Sequence, residues 1–182
     1  IPDISVIGKA IGNGMHIAAV VGKKRIIDVC NRIFFSSTFA GELLSIRAAL
    51  ETIREIKQKR VCEYINRLGN KLKDGFNEVA KKLDIKAELK GYGARHSLIL
   101  SQFKDEKKNT LLKSLFWQET VKRGILFGAA QFISFSHTDR EIDYTLRVSK
   151  ECLGIVKKAM QEKNIRKCLK GHMVRPILKN RY

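Results

Sequence analysis

The sequence predicts an α/β segment joined by a long helix to an α+β domain, and three observations predict it. Apolar residues recur at spacings of three and four from Leu43 to Leu83, the period of an amphipathic helix. Before that stretch stand two short apolar runs broken by glycine. After it the order is strands, helix, strands, helix, as in an α+β domain.

Ile1 to Val21 reads as loop, glycine turn and strand: Gly12-Asn13-Gly14 breaks the chain and Ile17 to Val21 suits a buried strand. A second run, Ile33 to Phe35, ends in the hydroxyl cluster Ser36-Ser37-Thr38. The helix that follows Gly41 carries Leu43, Ile46, Leu50, Ile53, Val61, Ile65, Leu68, Leu72, Phe76, Val79 and Leu83 on one side, with break points at Lys57 to Arg60 or at Gly69. Ala87 to Leu89 and Ser97 to Phe103 read as strands around Gly91-Tyr92-Gly93, and Thr110 to Lys122 as a helix stopped by Gly124. Ile125 to Phe127 and Phe132 to Phe135 read as two more strands. Thr138 and Glu141 have the spacing of a capping box, opening a helix with Ile142, Leu146, Leu153, Val156 and Met160 on its apolar side. The tail from Lys163 to Tyr182 has no clear period. Two short buried strands without helices on both faces do not close a layer, so residues 1–55 read as the end of a larger domain and 56–182 as a small α+β domain with its connecting helix.

At 182 residues and 44% hydrophobic, the chain is long enough to bury a core and reads as soluble and cytoplasmic, with no membrane span and no secretory leader. Cys30, Cys62, Cys152 and Cys168 form no CxxC pair and lie near no histidine at ligand spacing, so they read as reduced thiols and no metal site is expected. The formal charge of +18 alone would point to nucleic acid or another polyanion. The basic residues are interspersed with acids, as in Glu51 to Arg60 and Lys104 to Lys108, in the manner of solvated faces, and the abrupt start within a motif leaves room for acidic residues elsewhere. A nucleic-acid partner is therefore not expected.

The informative stretch is Asp3-Ile4-Ser5-Val6-Ile7-Gly8-Lys9-Ala10-Ile11-Gly12-Asn13-Gly14. A lysine beside a glycine, ahead of a glycine turn and near a strand, is placed where an amine can be held against a ligand and attack a carbonyl. In isolation any one lysine among 36 basic residues reads as a solvated surface charge. The whole string, however, resembles the lysine motif of the class III, fold type I, aminotransferases. The resemblance continues through Ala18 to Gly22 and Phe35-Ser36-Ser37-Thr38-Phe39-Ala40-Gly41. Farther on, Gly124 to Phe127, Phe132 to Thr138 and Ile142-Asp143 resemble the small-domain end of the glutamate-1-semialdehyde aminomutase branch.

That resemblance implies pyridoxal 5'-phosphate as cofactor, held as a Schiff base on Lys9, which would also carry a proton between substrate and cofactor carbons. It implies that Thr38, with Ser37 beside it, reaches the cofactor phosphate of the neighbouring subunit, in a homodimer acting on a small-molecule amino donor and acceptor. Hydroxyl and amide donors ahead of a helix suit such an anion. Arg95 is a candidate for a substrate carboxylate, because its planar guanidinium matches one; an exposed structural arginine reads equally well. His137, just before a helix cap, reads as structural. His16 stands where many relatives have proline, a departure that bears on the turn beyond Lys9. The family's acidic partner for the pyridine nitrogen, its ring-stacking aromatic and its phosphate loop lie upstream of the lysine motif and have no counterpart here. The chain therefore reads as a C-terminal fragment, inactive in transamination alone. Two alternatives stand beside this reading: a non-enzymatic basic module binding a polyanion, and an inactive truncated paralogue.

Overall fold

The structure is a computed structural model that describes residues 2–34 and 37–174. It divides into two compact units, Ile1–Val61 and Cys62–Tyr182.

In the first unit, β1 (Ile4–Ile7) pairs antiparallel with β2 (Ala19–Gly22), Ile4 opposite Gly22 and Ile7 opposite Ala19. A 3-10 turn, Lys9–Ile11, follows β1 directly. After β2 come α1 (Lys24–Ile27), a second 3-10 turn (Asp28–Arg32) and α2 (Leu43–Gln58). Three expectations are corrected. Ile4 to Ile7 is a strand rather than loop, because β2 gives its backbone groups a partner. The strand beyond the glycine turn is not buried: Val20 and Val21 are 46% and 42% exposed. Ile33 and Phe34 form no strand, having no third strand to pair with among the described residues; Phe35 and Ser36 lie outside those residues. Ala49 is the one apolar side chain described as buried in this unit, whereas Val6, Phe34, Phe39, Leu43 and Leu44 are all at least 60% exposed.

The second unit holds the hydrophobic core. Its sheet has the order β3-β4-β5, all antiparallel: β3 (Ala87–Tyr92), β4 (Arg95–Leu100) and β5 (Ala130–Phe132). Alternation along β3 and β4 turns Ala87, Leu89, His96, Leu98 and Leu100 inward. Leu68, Leu72, Phe76 and Ala80 of α3 (Val61–Lys82), Leu112, Leu115 and Phe116 of α4 (Glu106–Lys122), and Ile142, Val148, Leu153 and Val156 of α5 (Asp139–Gln161) join them in one cluster. Phe76, Phe116 and Phe127 pack with ring centroids 5.2 to 5.9 Å apart. Asn77 of α3 bonds both backbone groups of Leu89, donating to its carbonyl at 3.2 Å and accepting from its N–H at 2.7 Å, which closes that position of the β3 edge.

The long periodic stretch is two helices, broken at Lys59-Arg60, where Arg60 takes a positive φ of 49°. Gly69 does not break it. That glycine sits within α3 because the β3–β4 turn comes so close that an added Cβ would lie 1.5 Å from the Gly93 carbonyl oxygen. Ile125 to Phe127 is not a strand: Ile125 N–H returns to Thr120 and Phe127 N–H to Ile125, so local bonds replace a ladder while Phe127 fills the core. β5 ends at Phe132 because the Ser134 N–H turns to the His137 ring nitrogen at 3.0 Å. β4 stops at Leu100, and α4 starts four residues early because Asp105 caps it, accepting from Lys107 N–H at 2.9 Å. The capping box at Thr138 and Glu141 forms as read, with Thr138 N–H donating to Glu141 at 2.8 Å. A short helix, α6 (Ile165–Cys168), occurs where no period was visible. Among the described residues no helix is long and apolar enough to cross a membrane.

Candidate active site

Lys9 is built into a turn whose shape its neighbours dictate. Its φ is 53°, the left-handed region that costs a side-chain-bearing residue about 1 kcal/mol or more. Arg60, Asp84 and Lys163 share that conformation, but each closes the last turn of a helix, where it is ordinary. Asn13 also has it, within the Gly-Asn-Gly turn, which asparagine tolerates. Lys9 has neither excuse. It begins the 3-10 turn straight after β1, exposed, with extended Gly8 before it. The turn beyond it is tight: a Cβ on Gly12 would lie 2.3 Å from the Met15 carbonyl oxygen and 2.7 Å from Ile17 Cγ2. Asp3 is engaged elsewhere, its carboxylate 2.5 Å from Lys23 Nζ and its carbonyl accepting from Lys23 N–H at 3.0 Å.

The Lys9 turn and the Ser37–Thr38 segment belong to the same unit and are tied at two places. The 3-10 turn packs on α2. The His16 ring stacks on Phe39, centroids 5.5 Å apart and planes 14° from parallel. So His16 is a stacking residue that joins the two segments. Ser37 and Thr38 are exposed, and their hydroxyls have no partner among the described residues.

Glu42 was not singled out from sequence. Its carboxylate caps α2, accepting from Leu44 N–H at 2.8 Å and Ser45 N–H at 2.6 Å. Bonds from the Ser45 side chain and from the Ser45 and Leu44 amides hold its pKa below the usual carboxylate range. The helix-start amides that would attract an anion thus already hold a carboxylate. The hydroxyls of Ser37 and Thr38 are donors still unengaged among the described residues. An acidic residue directly before an apolar helical period was the available signal.

Arg95 lies in the second unit, exposed at the first position of β4, with its guanidinium carbon 5.5 Å from the Phe132 ring centroid. The His137 ring accepts from Ser134 N–H and its carbonyl accepts from Tyr64 OH at 2.9 Å, a structural engagement on both counts. An open cleft of about 1210 Å³ in this unit includes His137, Arg140, Tyr144 and Arg147, with Glu141 and Asp143 balancing its cations; none of the residues singled out as cofactor or substrate contacts lines it.

The donor set of the first unit fits part of a pyridoxal phosphate site. A primary amine is suited to the aldehyde, and two unengaged hydroxyls are suited to a phosphate.

Comparison with known proteins adds the family. Residues 1–143 match the family model described as Aminotransferase class-III. A glutamate-1-semialdehyde 2,1-aminomutase of Desulfitobacterium hafniense (strain Y51) is 28% identical over 165 residues, covering 84% of this chain and 38% of that protein. The chain therefore spans about 38% of the length of this relative. Among solved structures, the PLP internal aldimine form of the FumI protein of Sphingopyxis sp. MTA144 superposes with a TM-score of 0.75 at 21% identity, covering 88% of this chain and 38% of that one. A glutamate-1-semialdehyde aminomutase from Pseudomonas aeruginosa PAO1 in complex with PMP gives 0.70 at 19%, over 86% and 40%. These likenesses show a shared fold, that of the fold type I transaminases, as the sequence resemblance implied. By the match over residues 1–143, this chain belongs to the class-III aminotransferase family.

Proposed function

We propose that the chain serves a pyridoxal-phosphate-dependent aminotransferase or aminomutase, with Lys9 as the residue that holds the cofactor. The observation that carries this is the left-handed Lys9, placed by a turn with no room for a Cβ at Gly12, in a chain of this family. Strain kept at a residue with no capping role is characteristic of functional positions. When bound, the cofactor supplies the electron sink for chemistry at the carbon bearing the amino group.

Lys9 Nζ would hold the cofactor through its aldehyde carbon. Once a substrate amine takes its place, Nζ would be free to take up and return a proton. The hydroxyl of Thr38, with Ser37 beside it, would donate to phosphate oxygens of the neighbouring subunit's cofactor, so the working form is a homodimer with a shared site. Residues 1–55 would be the end of the large cofactor-binding domain and 56–182 the small domain. The apolar exposure of the first unit, with Ala49 the one buried apolar residue among those described, supports that division. Arg95 is the candidate for a substrate carboxylate. The amino group would move between two small molecules or within one.

The test uses the full-length protein. Lys9→Ala should abolish turnover and the visible absorbance of the bound cofactor, and Thr38→Val should weaken cofactor binding by about tenfold, the loss of one hydrogen bond to a charged group. Near-normal rates in a folded Lys9→Ala protein would overturn the proposal.

A further inference from the structure

The charge of +18 has no part in the cofactor chemistry, and it is unevenly distributed. From Lys157 to Tyr182 the sequence holds nine Lys and Arg residues and a single acid, Glu162. The structure folds part of this segment against α4. Gln118 of α4 clamps it from one side chain, donating to the Cys168 carbonyl at 3.0 Å and accepting from Lys170 N–H at 2.7 Å. One turn earlier, Ser114 Oγ accepts from Val174 N–H at 3.0 Å. Between the start of α4 and this strapped segment is a concavity of about 320 Å³, lined by Lys107, Lys108, Leu111, Arg166, His172 and Met173.

Elsewhere in the unit cations meet acids: Arg67 and Lys71 share Asp139, and Lys122 and Arg123 share Glu119. Here, among the described residues, none of Lys107, Lys108, Arg166 or His172 has an acidic partner. The acids nearby in sequence are engaged: Asp105 caps α4, Glu106 accepts from Asn109, and Glu162 accepts from Asn164 and faces Lys158. The volume is at the lower end of the range for small-molecule sites. Three obligate or near-obligate cations and an imidazole N–H supply positive potential, while Leu111 and Met173 give an apolar floor.

We propose that this concavity binds a small phosphate monoester whose body presents an aromatic face. Arg166 and the two lysines meet the dianion, and the Leu111–Met173 floor meets the body. The floor distinguishes such a ligand from free phosphate. The small extent of the concavity distinguishes it from a polynucleotide site, which would need a track of cations.

The test is calorimetric titration of the complete chain at physiological ionic strength with adenosine 5'-monophosphate, inorganic phosphate and a single-stranded oligonucleotide. The expected result is saturable binding of the nucleotide about tenfold tighter than inorganic phosphate. K107Q together with R166Q should weaken it by about tenfold or more. K81Q together with K150Q, the same charge change on exposed lysines elsewhere in the unit, should leave it unchanged. Leu111→Gln should weaken the nucleotide and not inorganic phosphate. If the K107Q/R166Q pair unfolds the chain, K108Q alone, on an exposed side chain, carries the same test. The proposal is overturned by a nucleotide that binds no better than phosphate, by equal losses in the K81Q/K150Q control, or by oligonucleotide binding indifferent to the concavity variants.

Discussion

Three glycines within helices allow one substitution to be read against three surroundings. Replacing a helical glycine by alanine stabilises by about 1 kcal/mol through backbone entropy alone. At Gly69 a Cβ would lie 1.5 Å from the Gly93 oxygen and 2.5 Å from its carbonyl carbon, so the β3–β4 turn has to retreat by roughly 1.5 Å. The obstacle is backbone, which cannot rotate away. Overpacking costs about 1–3 kcal/mol, and the upper end applies here. Retreat also strains the bonds from Ala94 N–H to Asn66 Oδ1 (3.0 Å) and from Ile133 N–H to the Ala94 carbonyl (2.9 Å), about 1 kcal/mol each. Set against the entropic gain, the net loss for Gly69→Ala is about 4 kcal/mol, or a fall in Tm on the order of 10 °C. At Gly75 the nearest atoms, at 2.8 and 2.9 Å, are the methyls of Leu146, which can turn aside. Gly75→Ala should therefore fall between no change and a gain of about 1 kcal/mol. Gly154 has nothing within 4 Å, and its alanine variant should gain the full amount, about 1 kcal/mol. Thermal and urea unfolding of the three variants measure this directly. A Gly69→Ala protein as stable as the parent would refute the close docking of α3 on the turn.

His96 is fully buried, neither ring nitrogen has a well-formed hydrogen bond among the described residues, and burial followed by Lys73 lowers its pKa from the ordinary 6.5, against opposing pulls from Asp74 and the Gly93 backbone. A base with a depressed folded pKa binds fewer protons folded than unfolded, so its contribution is complete above pH 6.5 and is lost as the pH falls from there toward the folded value. His96→Leu should flatten that acid-side loss and raise stability at neutral pH by about 1 kcal/mol, read from unfolding curves across the pH range; an unchanged pH profile would contradict it. Thiol titration separates the cysteines: Cys30 and Cys62 are exposed and should react in the native protein. Cys152, with burial pushing its thiol up to about 11, should react only on unfolding. Rapid native labelling of Cys152 would place it outside the core.

The elements legible in the sequence were those that carry their own signal. Period marked α2, α3 and α5, and the Thr138–Glu141 spacing marked a cap that the structure forms. What was misread depended on partners distant in sequence. β1 is a strand because β2 pairs with it, and Ile125 to Phe127 is a turn because Phe127 completes a ring cluster with Phe76 and Phe116. Gly69 looked like a helix breaker since nothing in a one-dimensional pattern shows that Gly93 lies against it. For the candidate site, the sequence singled out Lys9, Ser37 and Thr38 by resemblance. The left-handed turn at Lys9, the His16–Phe39 stack and the Glu42 cap required coordinates.

The central claim, that Lys9 holds the cofactor, is tested most directly by borohydride reduction of the full-length protein with pyridoxal phosphate, followed by digestion and mass spectrometry of the peptides. The account predicts one stoichiometric adduct, on the peptide bearing Lys9, and its loss in Lys9→Arg. An adduct at another lysine, or a label spread over the surface lysines with Lys9 no more modified than the rest, would contradict it.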